Sequence, residues 1–119
     1  MITTLEASMN NISYKFNEDS YLEELKDIID RTYTGHYSRD KFQATEFIVD
    51  GGHGTGFCIG NIMKYAQRYG KKGTTEDARK DIMKVLHYAI IMLHVHDMNE
   101  FDKIADVDSD MQEYKYDTD

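Results

Sequence analysis

GFCIGNIMKYAQRYGKK, residues 56–72, is the stretch from which the predicted fold follows. At about 100° per residue it forms a helix with two different sides. One side, the apolar arc, consists of Ile59, Ile62, Met63, Ala66 and Tyr69. The other, the polar arc, consists of Asn61, Lys64, Tyr65 and Arg68, spaced i, i+3, i+4 and i+7. An amide, two cations and a phenol without a carboxylate are suited to holding an anion or a nucleotide. A solvated helix surface has the same periodicity, so both interpretations stand.

The segments before this helix predict two more helices. The first runs from Tyr21 to about Thr34, with Ser20 as its N-cap and Gly35 as its stop. The second is short, residues 41–49, capped by Ser38 or Asp40, and it carries Glu46. His36 and Tyr37 precede this second helix on a predicted loop.

The longest helix is predicted after KKGTTEDARK, from about Glu76 to His96, with Thr74 or Thr75 as its cap. A short additional helix is expected in MNEFDKIA, residues 98–105. The long helix has a broad apolar face made of Ile82, Val85, Leu86, Ala89, Ile90 and Leu93. A second stripe holds Asp77, Asp81, Lys84 and Tyr88. A short connection makes this helix antiparallel to the central one. Lys64 and Arg68 would then share a groove with Asp77 and Asp81, or the same residues would form a salt-bridged surface.

Composition predicts one all-α domain, a small bundle of three to four main helices with Gly-rich connections. The 119 residues suffice for a single core, and the absence of proline favours long helices. We expect an N-terminal arm at residues 1–19, the helical domain at 20–105 and an acidic, disordered tail at 106–119. The net charge of −8 disfavours duplex DNA as a partner. No apolar run is long enough for a membrane span, and a single cysteine, Cys58, fits a reducing cytoplasm.

Two local motifs invite a ligand interpretation and are weak. GGHGTGFCIGN, residues 51–61, lacks both the Lys-Ser/Thr that ends a Walker A loop and the GxGxxG spacing of a dinucleotide fold. Its glycines either bring backbone N–H groups close to an anion or make a turn between two helices. HVHD, residues 94–97, has no third metal ligand at convincing spacing, so no metal site is predicted there.

Together these motifs resemble a family, the small phage domain typified by the bacteriophage T7 early-gene nucleotide kinase. The resemblance covers about residues 36–93. It is carried by His-Tyr, then Glu, then F-x-x-G-N-x-x-K-Y-x-x-R-x-x-x-K, then an Asp-rich helix start. The matching residues are His36, Tyr37, Glu46, Phe57, Gly60, Asn61, Lys64, Tyr65, Arg68, Lys72, Asp77, Asp81, Lys84 and Tyr88. The chain departs from the pattern by extra residues before Glu46 and by additional glycines in GGHGTG.

The resemblance implies a nucleotide-binding phage protein working in the cytoplasm of an infected bacterium. Its activity would be phosphoryl transfer to dGMP or dTMP without a Walker A loop, with ATP and Mg²⁺ as donor and cofactor. Lys64 and Arg68 would hold phosphates, Tyr65 or Tyr88 would stack on the base, and Asn61 would fix a hydroxyl or base edge. Glu46, Asp77 or Asp81 would hold Mg²⁺ or orient the acceptor. His36, Tyr37, Lys72 and Lys84 complete the implied nucleotide site.

Other functions remain open at this stage. The chain could be a non-enzymatic sponge or inhibitor that sequesters a host nucleotide signal or binds a host protein. It could also be a purely structural helical module. A homo-oligomer is expected because Met92, Met98, Phe101 and Ile104 would otherwise leave apolar surface uncovered.

Overall fold

A computed structural model describes the backbone of residues 11–107, and the side chains of this range except at 36–40 and 100–107. The described residues form four helices and no strand, which confirms the all-α class. The helices are α1, Glu18–Thr32; α2, His36–Asp50; α3, Gly54–Arg68; and α4, Thr75–Val107. None of these helices is long and apolar enough to cross a membrane. The predicted acidic tail lies outside the described residues, apart from Asp106 and Val107 at the end of α4.

The chain divides into two compact units, residues 1–36 and 37–119, and the domain predicted at 20–105 runs across this division. The first unit contains α1, which begins at Glu18 instead of Tyr21. Asn17, in the left-handed region at φ 57°, is its N-cap, so Ser20 lies inside the helix. The Glu18 carboxylate accepts a hydrogen bond from the Phe16 amide at 3.0 Å. Leu25 is the buried residue of this helix.

The second unit begins with α2 and corrects the predicted short helix. α2 starts at His36, five residues earlier than expected, so His36 and Tyr37 lie in its first turn and not on a loop. Ser38 and Asp40 are therefore inside the helix and do not cap it. The spacing of apolar residues locates the interior of a helix better than its ends, which explains why the predicted start of α2 is wrong.

The glycine-rich segment makes a turn between α2 and α3. Gly52 takes the left-handed conformation, φ 89°, that ends a helix without a Cβ penalty. The amides of Gly51, Gly52 and His53 all donate to carbonyl groups of α2, at 3.0 Å each. These three N–H groups are thus used within the chain, and the segment makes the turn that joins α2 to α3.

α3 and α4 form the antiparallel hairpin that the sequence predicts. The connection between them passes through Gly70 and Gly73, both at positive φ. Thr74 caps α4 through a reciprocal pair with Asp77: the Asp77 amide donates to Thr74 Oγ1, and the Thr74 amide donates to Asp77 Oδ2. α4 is the longest helix, as expected, but it continues without a break through the segment predicted to be a separate short helix.

The side chains buried in the hairpin differ from those that periodicity suggests. Buried positions of α3 and α4 are Gly54, Cys58, Ala78, Asp81, Met83, Tyr88 and Val95. Most of the apolar arc of α3 and of the broad apolar face of α4 is solvent-exposed instead: Met63 is 64% exposed and Leu93 61%. Asp81 and Tyr88, members of the predicted polar stripe, lie in the interior. Cys58 is completely buried, since none of its surface is exposed.

Candidate functional site

An ion pair between α3 and α4 fixes the geometry of the candidate site. Arg68 Nη2 donates to Asp81 Oδ1 at 2.6 Å, and Arg68 Nε donates to Asp81 Oδ2 at 3.3 Å. Asp81 is 2% exposed, whereas the Arg68 side chain is 36% exposed. The guanidinium holds the pKa of Asp81 below its usual value and has its own pKa raised in return. Both carboxylate oxygens are thus occupied, and Arg68 is held in one orientation.

Aromatic rings pack beside this ion pair. Tyr65 of α3 stacks on Tyr88 of α4 with ring centroids 6.0 Å apart and planes 13° apart. The ring of Phe57 meets Tyr88 edge-on at 5.8 Å, a favoured aromatic geometry. Tyr88 is only 9% exposed, and burial raises the pKa of its phenol. Tyr88 therefore supports Tyr65 from within the hairpin, and Tyr65 itself is half-buried.

Three cations surround Tyr65. Lys64 Nζ and Lys84 Nζ each lie 4.9 Å from its ring centroid, and Arg68 Cζ lies 5.1 Å from it. Asp81 compensates the charge of Arg68, but no salt bridge joins Lys64 or Lys84 to an acid among the described side chains. Because both ammonium groups share one ring, they are at most 9.8 Å apart, the sum of the two distances. Like charges at that distance repel one another, and a bound anion would relieve the repulsion.

A surface depression, here named the cationic cleft, opens next to this cluster. Its volume is about 270 Å³. It is lined by Arg68, Lys72, Gly73, Asp77, Lys80, Asp81 and Lys84. The two acids are engaged: Asp81 binds Arg68, and Asp77 accepts hydrogen bonds from the Thr74 amide and hydroxyl, which lower its pKa. Three lysines, Lys72, Lys80 and Lys84, therefore line the cleft at one end of the hairpin.

The structure brings together most of the residues expected at the site. Lys64, Tyr65, Arg68, Lys84 and Tyr88 form the cluster around the ring, and Lys72 lines the adjoining cleft. Asn61 lies one turn from Tyr65, but its Nδ2 donates to the Phe57 carbonyl at 2.9 Å, so its amide group is partly used within α3.

Other expected residues are not brought to the cluster. Glu46 is an exposed residue of α2, and no hydrogen bond or ion pair links it to the described side chains of α3 or α4. The side chains of His36 and Tyr37 lie outside the described residues. Sequence reasoning missed Lys80, although its position four residues before Lys84 places both on one face of α4.

Mg²⁺ is implied by the kinase resemblance, and the carboxylates of the cleft do not fit it. Both oxygens of Asp81 accept hydrogen bonds from Arg68, and Asp77 is committed to the cap of α4. No group of three His, Cys, Asp or Glu side chains among the described residues could hold a metal ion. Mg²⁺ is usually held by one or two carboxylates together with waters and substrate phosphates, and both carboxylates of the cleft already have other partners.

Comparison with known families gives one match. Residues 31–89 match the family model described as protein of unknown function (DUF3310), just under half of the chain. The matched stretch contains the ion pair, the stacked tyrosines and the cationic cleft. No curated protein and no solved structure shows a significant match.

Proposed function

We propose that the chain is a nucleotide-binding protein whose phosphate site is the cationic cleft and whose base or sugar site is the exposed side of Tyr65. The observation that supports it is the convergence of Lys64, Lys84 and Arg68 on one tyrosine ring, next to two further lysines. A phosphate supplies the charge that these lysines lack, and an aromatic ring supplies a stacking surface for a base. The volume of about 270 Å³ suits a phosphate-bearing part of a small ligand.

The division of labour follows from the contacts. Lys72, Lys80 and Lys84 bind phosphate oxygens, since their ammonium groups line the cleft and form no salt bridge with described acids. Arg68 is oriented by Asp81 and presents its Nη1 group to the same anion. Tyr88 keeps the Tyr65 ring in place. Asp81 is a positioning residue, because its oxygens are used by Arg68 and do not face a ligand.

Phosphoryl transfer is the reaction we propose for this site, as the resemblance to the phage nucleotide kinase implies. Such transfer depends mainly on positioning and on neutralising charge, which the cluster of cations supplies. The acceptors would be dGMP or dTMP and the donor ATP. The infected bacterial cytoplasm is the setting that belongs to this proposal.

Sequestration without turnover is a second candidate function, and the engaged carboxylates favour it. Asp77 and Asp81 serve the cap and the ion pair, and Glu46 lies apart from the cluster on α2. The cleft thus offers cations for binding, and both of its acids already have other partners. A protein that binds and retains a nucleotide needs only the cations and the ring.

Titration calorimetry with dGMP, dTMP and ATP tests binding. We expect binding to the wild type and a loss of about tenfold or more in Lys84→Met, because one charge-assisted hydrogen bond contributes about 1.5–3 kcal/mol. Lys26→Met is the matched control, since Lys26 is an exposed lysine of α1 paired with Asp30. Absence of binding by all three nucleotides, or equal affinity in both variants, contradicts the proposal.

Product analysis then separates the two functions. The protein is incubated with ATP and either dGMP or dTMP, and the nucleotides are resolved by anion-exchange chromatography. Formation of dGDP or dTDP, lost in Lys84→Met, supports the kinase. Stoichiometric retention of unaltered nucleotide supports sequestration.

A further inference from the structure

An apolar surface without a partner lies on the hairpin of α3 and α4. Its large side chains are between 39% and 64% exposed. We name as the apolar face the following residues: Ile59, Met63 and Tyr69 of α3, with Ile82, Leu86, Ile90 and Leu93 of α4. No charged residue interrupts this set, whereas surface apolar residues of a monomer usually occur singly.

The spacing on α4 is that of a helix which packs against another helix. Ile82, Leu86, Ala89 and Leu93 are separated by four, three and four residues, the a/d repeat of a helix–helix seam. Their side of α4 is distinct from the one that meets α3, which carries Asp81, Tyr88 and Val95. α4 therefore has a second seam for which the described residues of the second unit supply no partner helix.

The two helices form one continuous face. Ile59, Met63 and Ala66 repeat the four-then-three spacing on α3. An apolar groove of about 260 Å³ connects the helices, lined by Tyr65, Ala66, Tyr69, Ile82 and Val85. Two ridges with a groove between them make a flat two-helix layer, and such a layer is covered by a second layer of helices in stable folds.

The exposed area matches what a homodimer needs. The seven side chains are about half exposed on average, and an apolar side chain of this size has roughly 100–200 Å² of surface. The face thus offers roughly 500 Å² of apolar area. A standard interface buries about 800 Å² per partner, of which about 65% is apolar in homodimers.

We propose that a second copy of the chain covers the apolar face, so that α3 and α4 of each copy form a four-helix bundle with those of the other. The absence of charge and the match in area favour a permanent self-association over a transient partner. Lys84 lies two residues, about 200°, from both Ile82 and Leu86 around α4. The dimer therefore leaves the cationic cleft open on each copy, whereas it covers the side of Tyr65 that lines the apolar groove. The inference rests on the apolar face and not on the proposed function.

Light scattering coupled to gel filtration tests the dimer with the full chain. We expect the wild type at twice the chain mass of 13.9 kDa, and Leu86→Glu and Met63→Glu each at the mass of one chain with helical circular dichroism retained. Both side chains are exposed in the single chain, so a charge there is compatible with its fold. Phe47→Glu is the matched control, because Phe47 is 81% exposed on α2 outside the face, and it stays dimeric.

A monomeric wild type overturns the proposal, as does any oligomer whose mass both face substitutions leave unchanged. If the wild type is monomeric and Leu86→Glu lowers its melting temperature, a part of the same chain covers the face. If the wild type is monomeric and Leu86→Glu has the same melting temperature, the face is open for a different protein. Both results reject self-association.

Discussion

Gly54→Ala is a substitution whose effect can be worked out from the packing of the hairpin. Gly54 begins α3 at the point where the helix passes closest to α2 and α4. A Cβ at this position would lie 3.0 and 3.1 Å from the two γ-carbons of Val95, and 3.2 Å from Cγ2 of Val49. Carbon atoms pack best at about 3.5–4.0 Å. Because valine is stiff about χ1, neither side chain can simply rotate away.

Two opposing contributions determine how much Gly54→Ala changes the free energy of unfolding. Overpacking of a tight contact costs about 1–3 kcal/mol, while replacing glycine by alanine restricts the unfolded chain and contributes about 0.4–1 kcal/mol of stability. The midpoints of the two ranges differ by about 1.3 kcal/mol, so we expect a net destabilisation of about 1–2 kcal/mol. For a domain of this size, 1 kcal/mol corresponds to about 4–8 °C in melting temperature. Gly54→Ala should therefore melt about 5–15 °C below the wild type.

Gly60→Ala is the matched control in the same helix. A Cβ at Gly60 meets no atom within 4 Å, so only the favourable term remains. This variant should melt about 2–8 °C above the wild type. Thermal unfolding followed by circular dichroism at 222 nm measures both. The packing argument is refuted if Gly54→Ala melts at or above the wild type, or if the two variants shift in the same direction.

Three further predictions concern ionisation, charge and thiol access. Asp77 and Asp81 have folded-state pKa values below their usual 3.8. The stability they contribute is therefore present above that value and is lost as the pH falls through the folded-state pKa. Urea unfolding at pH 5 and pH 3 should show this loss, and Asp81→Asn should show less of it. Nucleotide affinity should fall steeply as NaCl rises from about 50 to about 500 mM, because salt screens the attraction between the lysines and the phosphate. Calorimetry should show a flatter salt dependence in Lys72→Met, which has one cation fewer. Cys58 is fully buried and burial raises the pKa of its thiol, so a disulfide reagent should modify it rapidly in urea and slowly in the native protein; rapid native modification would contradict its burial.

The sequence predicts the hairpin because the relevant signals are local. The helical spacing of apolar and polar residues locates α3 and α4, and the short connection makes them antiparallel. Thr74 was one of two candidate caps, and the structure selects it because α4 begins at Thr75. The pairing of Arg68 with Asp81 follows once the two helices are antiparallel, since these residues lie at equivalent heights.

The sequence does not show which side of each helix meets the other. Periodicity places Ile82 and Leu86 on an apolar face and Asp81 and Tyr88 on a polar stripe, and apolar faces are usually buried. Here Asp81 and Tyr88 of the stripe pack inward, because Asp81 is neutralised by Arg68 and Tyr88 stacks on Tyr65. These pairings depend on two helices at once. No single-helix pattern contains them.

Stability alone does not account for this choice of interior. A buried ion pair recovers little more than the cost of removing its charges from water, and apolar residues of similar size are often equally stabilising. The chain has such residues on α4, including Leu86 and Leu93, yet they are exposed while Asp81 is buried. What the buried carboxylate provides is orientation: Arg68 is fixed beside the Tyr65 ring, where Lys64 and Lys84 also lie. A preorganised set of cations loses less entropy on binding an anion than flexible ones do. If the cleft binds an anion, as proposed, the buried ion pair serves that binding, and the exposed apolar face is the surface proposed for association.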